Sequence, residues 1–195
     1  MIQNSQKLIV LQKPVKGILY GNRIPKDFFI TTGIGESDIT VHAGSFHLAL
    51  RDAGIERCNI MTYSSILPDI AKEIPKTPLL LNSLKHGSVM ETIMACANST
   101  KGRRATAGVI FGWLHNKTTG EKYGGLVCEY NGEKTEEGTS EQLNASLNEL
   151  YTNGYADEFE LKDIQLITKS FVPEKDFGTA LVALCFTNHV YPKAE

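Results

Sequence analysis

Several things are scarce in this chain. Its 195 residues hold one tryptophan and four cysteines, and no apolar run approaches the ~18 residues that a membrane-spanning helix needs. Cys58, Cys96, Cys128 and Cys185 show no C-x-x-C spacing and sit among apolar neighbours, so they read as reduced core residues rather than a disulfide framework. Of the histidines at 42, 47, 86, 115 and 189, only one pair is close in sequence, and it lacks the H-E-x-x-H pattern, so no metal is expected. Neither charge sign dominates: 20 basic residues face 22 acidic ones, which leaves no basic footprint for nucleic acid. There is no G-x-S-x-G elbow of a serine hydrolase. The stretch Gly33-Ile-Gly-Glu-Ser-Asp38 lacks the third glycine and following helix of a phosphate-cradling loop, and reads as a turn lining a pocket or an interface. Met1 to Pro14 carries only the short apolar run Leu8–Leu11 with no small-residue cleavage site, a poor signal peptide, so a cytoplasmic protein is expected. The Asn-x-Ser/Thr triplets at Asn98, Asn116 and Asn144 matter only in a secreted chain and are taken as chance.

What is present is enough apolar residue, 42% of the chain, for one well-packed domain spanning residues 1–195. Most apolar runs are short, β-branched or aromatic and bounded by Gly, Pro or Asn, which predicts strands near 7–12, 27–32, 57–63, 88–97, 105–115, 125–130, 164–171 and 179–186. Two helices are predicted. One runs near 43–53 with Gly54 as its stop; the other spans about 140–153 with a stripe of Leu143, Leu147, Leu150 and Tyr151, ended by Gly154. Residues 76–87 read as a long loop and 117–124 as a hairpin turn. Strands clustered between isolated helices place the chain in the α+β class, with helices covering the outside of antiparallel or mixed sheets.

The most informative segment is Gly54-Ile-Glu-Arg-Cys-Asn-Ile-Met-Thr-Tyr-Ser-Ser-Ile-Leu-Pro68, where a helix stop feeds a strand ending in two serines, two aliphatics and a proline. It resembles the self-cleavage site of the pyruvoyl-dependent arginine decarboxylases, with Asn59, Ser64, Ser65, Ile66 and Pro68 at the patterned positions. Further similar blocks follow the right order: Gly33–Asp38 upstream, then Lys85-His-Gly-Ser-Val-Met-Glu91, Gly124-Gly-Leu-Val-Cys-Glu-Tyr130 and Phe177-Gly-Thr-Ala-Leu-Val-Ala-Leu184. The likeness covers roughly residues 28–188, and an ordered series of blocks is far more specific than any one of them.

The resemblance implies a four-layer αββα sandwich, self-association to a trimer or a hexamer with sites between subunits, and cutting between Ser64 and Ser65 into pieces 1–64 and 65–195. It implies a pyruvoyl group made from Ser65 in place of pyridoxal phosphate. A hydroxyl held against the preceding carbonyl can attack it and move the Ser64 acyl group from nitrogen to oxygen; elimination from the ester, then hydrolysis, leaves the ketone and ammonia. That ketone condenses with an amino-acid substrate's α-amine and serves as electron sink when carbon dioxide leaves. The resemblance assigns Asn59 as donor to the Ser64 carbonyl oxygen; the alternative is that its amide satisfies a strand-end backbone group. It assigns Glu129 as the catalytic acid, a lone carboxyl in an apolar run where loss of water favours the neutral form; the alternative is an outward-facing strand residue.

One position departs from the family pattern. The helix before the cleavage strand there carries an acidic residue for the substrate's guanidinium, and here Phe46-His-Leu-Ala-Leu50 places His47 at that point. An imidazole cannot replace a carboxylate as a bidentate guanidinium partner. Asp38 or Glu36 supplies the charge, or the substrate is another amino acid, or the chain is a non-catalytic binding or assembly paralogue. Arginine, with agmatine and carbon dioxide as products, stays the leading substrate because the remaining blocks match.

Overall fold

The computed structural model describes residues 21–193, so the strand expected at 7–12 lies outside the described residues. In chain order the elements are β1 (Ile24–Pro25), β2 (Asp27–Ser37), a π-helical stretch (Val41–Phe46) running into α1 (His47–Ala53), β3 (Asn59–Thr62), β4 (Ile66–Pro68), β5 (Lys72–Glu73), α2 (Pro78–Ser83), β6 (Val89–Thr100), β7 (Ala105–Asn116), β8 (Lys122–Gly132), α3 (Glu136–Gly154), β9 (Phe159–Phe171), β10 (Phe177–Phe186) and β11 (His189–Val190). Two sheets carry the fold. One has the order β3-β6-β10-β2-β5 and the other β4-β8-β7-β9, while β1 and β11 form a small separate ribbon.

Three apolar layers set the architecture. Phe28, Ile93, Val109, Phe111, Val127, Val182 and Leu184 fill the space between the sheets. Behind the five-stranded sheet, Ala49, Leu50 and Ala53 of α1 pack on Phe29, Leu181 and Cys185. Behind the four-stranded sheet, Leu143 and Leu147 of α3 pack on Ile110, Leu114 and Leu126. The result is the expected four-layer αββα sandwich. Strands β7 and β10 are apolar nearly throughout because each is covered on both faces, whereas edge strand β3 is mostly exposed. All four cysteines are free, and burial pushes the Cys96 thiol up to about 11.

Helix boundaries follow their caps. Gly54 adopts φ 78° and donates its N–H to the Leu50 and Arg51 carbonyls, the left-handed stop that was expected. The third helix starts earlier than its apolar stripe predicts, because Thr135 caps it by accepting from Gly138 N and Glu136 and Glu137 fill its polar first turn. Two expectations fail. Residues 76–87 are not all loop: Thr77 caps and Pro78 opens the short helix α2. Gly33–Asp38 is not a turn either, since residues through Ser37 continue β2. There the glycines let a helix touch a sheet: a Cβ on Gly33 would lie 2.1 Å from the Ala49 carbonyl oxygen, and one on Gly35 would lie 2.3 Å from that of Ser45. Because the obstacle is backbone, Gly33→Ala is expected to destabilise by about 3 kcal/mol or more. Urea unfolding with an unchanged denaturant slope would show it; a midpoint equal to the parent would contradict this account of the glycine.

Candidate active site

Ser64 and Ser65 lie where the chain passes from one sheet to the other. Strand β3, before them, pairs in parallel with β6 of the five-stranded sheet; β4, after them, pairs antiparallel with β8 of the four-stranded sheet. Both flanks are tied down, as Tyr63 N donates to Thr92 O at 2.7 Å and Val127 N donates to Ser65 O at 3.2 Å. Between these ties the Ile66 amide donates to the Ser64 carbonyl oxygen at 2.9 Å, closing a three-residue turn around Ser65. That amide is thus a donor at the carbonyl that the Ser65 hydroxyl would attack.

The Ser65 hydroxyl reaches Glu129, with its Oγ 2.8 Å from Oε1 and 2.6 Å from Oε2. Glu129 stands opposite Val109 on β8, and strand alternation puts it on the same face as Val127, toward the space between the sheets. Leu126, Cys128 and Tyr130 take the other face, against α3. The carboxyl is half-buried. Burial, then the adjacent Glu129 charge, pushes the Cys128 thiol up, and strand alternation turns it to the α3 face, opposite that of Glu129.

A cavity of about 810 Å³ opens beside the turn, lined among others by Arg23, Tyr63, Ser64, Ile66, Pro68 and Tyr191. At its wall lies a polar cluster that the sequence reading did not assign. Glu91 on β6, only 4% exposed, accepts hydrogen bonds from the Arg23 guanidinium and, at 2.5 Å, from the Tyr63 hydroxyl, and it touches His189 Nε2. Burial, then the Arg23 charge, holds the His189 imidazole below its ordinary range. The signal for Glu91 was available, since Val89-Met-Glu-Thr-Ile-Met94 places the only charged residue of its strand in a mostly apolar stretch.

The remaining candidates sit elsewhere within the chain. Asn59 opens β3 and donates its side-chain amide to the Gly87 carbonyl at 2.9 Å. It lies five positions before Ser64, about 15 Å in extended chain. Within one chain it therefore holds a neighbouring loop, and the donor at the Ser64 carbonyl is Ile66. His47 is exposed on the first turn of α1, in the outer layer. Glu36 accepts from the Glu174 amide and Asp38 pairs with Lys175 at 3.6 Å. These two lie at the far end of β2. Tyr63 is level with Thr92, Cys185 and hence Phe29, and the strand from Phe29 to Ser37 covers about 26 Å. Of the sequence-predicted residues the structure thus brings together only Ser64, Ser65 and Glu129; Asn59 lies at the start of β3, and Glu36 and Asp38 lie at the far end of β2.

No helix among the described residues is long and apolar enough to cross a membrane. Residues 27–191 match the family model described as pyruvoyl-dependent arginine decarboxylase. The chain is 38% identical over 120 residues to the pyruvoyl-dependent arginine decarboxylase AaxB of Chlamydia abortus, an alignment covering 57% of this chain and 61% of that protein. It is 35% identical over 120 residues to a pyruvoyl-dependent arginine decarboxylase of Methanocella arvoryzae, covering 54% of this chain and 70% of that one. A third relative, pyruvoyl-dependent arginine decarboxylase 2 of Archaeoglobus fulgidus, is 35% identical over 111 residues, covering 56% and 66%. The chain thus aligns with about three fifths of the length of its chlamydial relative.

Proposed function

Since the chain belongs to the pyruvoyl-dependent arginine decarboxylase family, we propose that it is a self-cleaving precursor that cuts between Ser64 and Ser65 and then decarboxylates an amino acid, with arginine as the leading substrate. The observation that carries this reading is the Ser65 hydroxyl on the Glu129 carboxylate, at the centre of a tight turn whose preceding carbonyl already accepts the Ile66 amide.

The chemistry follows from that arrangement. Glu129 takes the Ser65 proton as its oxygen bonds to the Ser64 carbonyl carbon, while the Ile66 amide bears on the developing oxyanion. Protonation of the Ser65 nitrogen then breaks the Ser64 C–N bond and leaves an ester. Removal of the Ser65 α-proton expels the Ser64 carboxylate from the β-carbon. The resulting dehydroalanine tautomerises to an imine, which water converts to the ketone with release of ammonia. That pyruvoyl group supplies an electron sink for loss of carbon dioxide from a bound amino acid. Glu129, lying against position 65, then returns a proton to the carbon that lost carbon dioxide. A site derived from Ser65 fits, because its side chain already meets the acid and its chain neighbours Ser64 and Ile66 line the cavity that Arg23 also lines.

Glu36, Asp38 and His47, distant from Ser65 within one chain, would come to such a site from another copy, while the Asn59 amide serves the Gly87 carbonyl. This accords with trimers or hexamers whose sites lie between subunits and exclude water jointly. Release of carbon dioxide from arginine, abolished by a carbonyl reagent that attaches to the 65–195 piece, is the expected result; a protein inactive on every amino acid tried would point to the non-catalytic paralogue.

A second reading of specificity rests on His47, exposed where the family pattern carries an acid. Across arginine, ornithine, lysine, histidine, glutamate and aspartate, His47→Asp is expected to raise kcat/KM for arginine about tenfold, the scale of one charge-assisted bond. No gain would remove position 47 from the guanidinium site and leave another amino acid as the natural substrate.

A further inference from the structure

Glu91 is the one charged side chain in the buried core among the described residues, and the proposed chemistry does not use it. We propose that it is a positioning residue for self-cleavage: through Tyr63 it fixes the amino-terminal side of the Ser64–Ser65 bond, and through Arg23 and His189 it ties that hold to the β1–β11 ribbon. This rests on the self-cleaving reading above.

Tyr63 directly precedes the scissile pair and is pinned three times. Its amide donates to Thr92 O, one residue from Glu91; its hydroxyl donates to Glu91 at 2.5 Å; and its ring lies 5.7 Å from that of Phe186. On the other side of the bond, Val127 N holds the Ser65 carbonyl and Glu129 holds the Ser65 hydroxyl. The Ser64 carbonyl carbon is thus suspended between two fixed points, belonging to different sheets. Such an attack is intolerant of slack, since a displacement of about 1 Å can cost on the order of a hundredfold in rate.

Stability alone is a poor reason for an acid here. Replacing both members of a buried ion pair by apolar side chains of similar volume often costs no stability, because the charged pair is stripped of water in the folded state. What an apolar residue cannot do is accept the Tyr63 hydroxyl. The Arg23 charge keeps the Glu91 carboxylate compensated, and Arg23 also lines the cavity beside Ser64, so ribbon, acid and turn form one connected unit. His189 Nε2 completes it, touching Glu91 and lying 3.4 Å from the Tyr63 hydroxyl.

The test follows full-length chain after cell-free synthesis, timing conversion to the two pieces on a denaturing gel. Tyr63→Phe and Glu91→Leu are expected to slow cutting about 10- to 100-fold, the value of a hydrogen bond to a charged group. Glu91→Gln keeps an acceptor for Tyr63 and should recover most of the rate. The double variant Tyr63→Phe/Glu91→Leu should cut no more slowly than Glu91→Leu, since both remove the same link. Melting of Tyr63→Phe in a Ser65→Ala background should stay within a few degrees of that background, which separates slack at the scissile bond from lost stability. Wild-type cutting rates in both single variants would overturn the proposal, as would slowing that tracks lost thermal stability with no recovery in Glu91→Gln. A wild-type chain that never cuts would instead sink the self-cleaving reading, and this inference with it.

Discussion

Ser65→Ala is expected to leave the chain whole and decarboxylation undetectable. Intact mass under denaturing conditions reads the first outcome directly. The 21.5 kDa of 195 residues, scaled to residues 1–64 and 65–195, gives wild-type pieces of roughly 7 and 14 kDa, in proportion to chain length. The larger piece should also lack a free α-amine, because position 65 carries a ketone. Alanine offers no oxygen to attack the Ser64 carbonyl and no leaving group on its β-carbon, so both cutting and formation of the group fail at once. The variant should still fold, because the backbone ties at Tyr63, Ser65 and Ile66 do not involve the lost hydroxyl. Its melting point should move by a few degrees at most, the scale of one part-buried hydrogen bond. Uncut wild-type protein, or a cut Ser65→Ala chain, would dismantle the proposed function at its first step.

Glu129→Gln should have the second-largest effect, and on two processes at once. Glutamine still accepts the Ser65 hydroxyl, so the turn keeps its shape, but it neither takes up nor delivers a proton. Turnover per pyruvoyl group is expected to fall about 10²- to 10³-fold, within the range of a lost general acid or base. KM should stay within a few-fold, because Glu129 acts on the reacting carbon rather than on the substrate's side chain. Cutting should slow as well, since Glu129 is the partner found on the Ser65 hydroxyl. Time courses of cutting and steady-state kinetics on fully cut enzyme separate the two losses. If cutting slowed while turnover held, Glu129 would be a processing base only and the acid of the second reaction would lie elsewhere.

Much of this architecture was legible in the residues. Alternation and apolar runs placed the long strands, and the burial of β7 and β10 on both faces explains why those two read as continuous apolar segments. Gly54 marked a helix end through its left-handed backbone. The serine pair and Glu129 stood out through the ordered blocks around them. Elements of two or three residues such as β1, β4, β5 and β11 were missed, because so short a run carries no period. Glycines at 33 and 35 misled for a related reason: a glycine needed for close packing leaves the same local mark as one needed for a turn.

By itself, then, the sequence determined which residue types were available for chemistry, the α+β class, and the faces along each strand, since side-chain alternation is a local property of the backbone. Only the tertiary structure decided which of those residues meet. Ser65 and Glu129, 64 positions apart, come together because β4 pairs antiparallel with β8, whereas Asn59, only five residues from Ser64, is carried away by an extended strand. Glu91 gained its partners in the same way, from Arg23 and His189 near the two ends of the described chain. Pairing between distant strands depends on summed packing across the whole sandwich, and no local pattern records it.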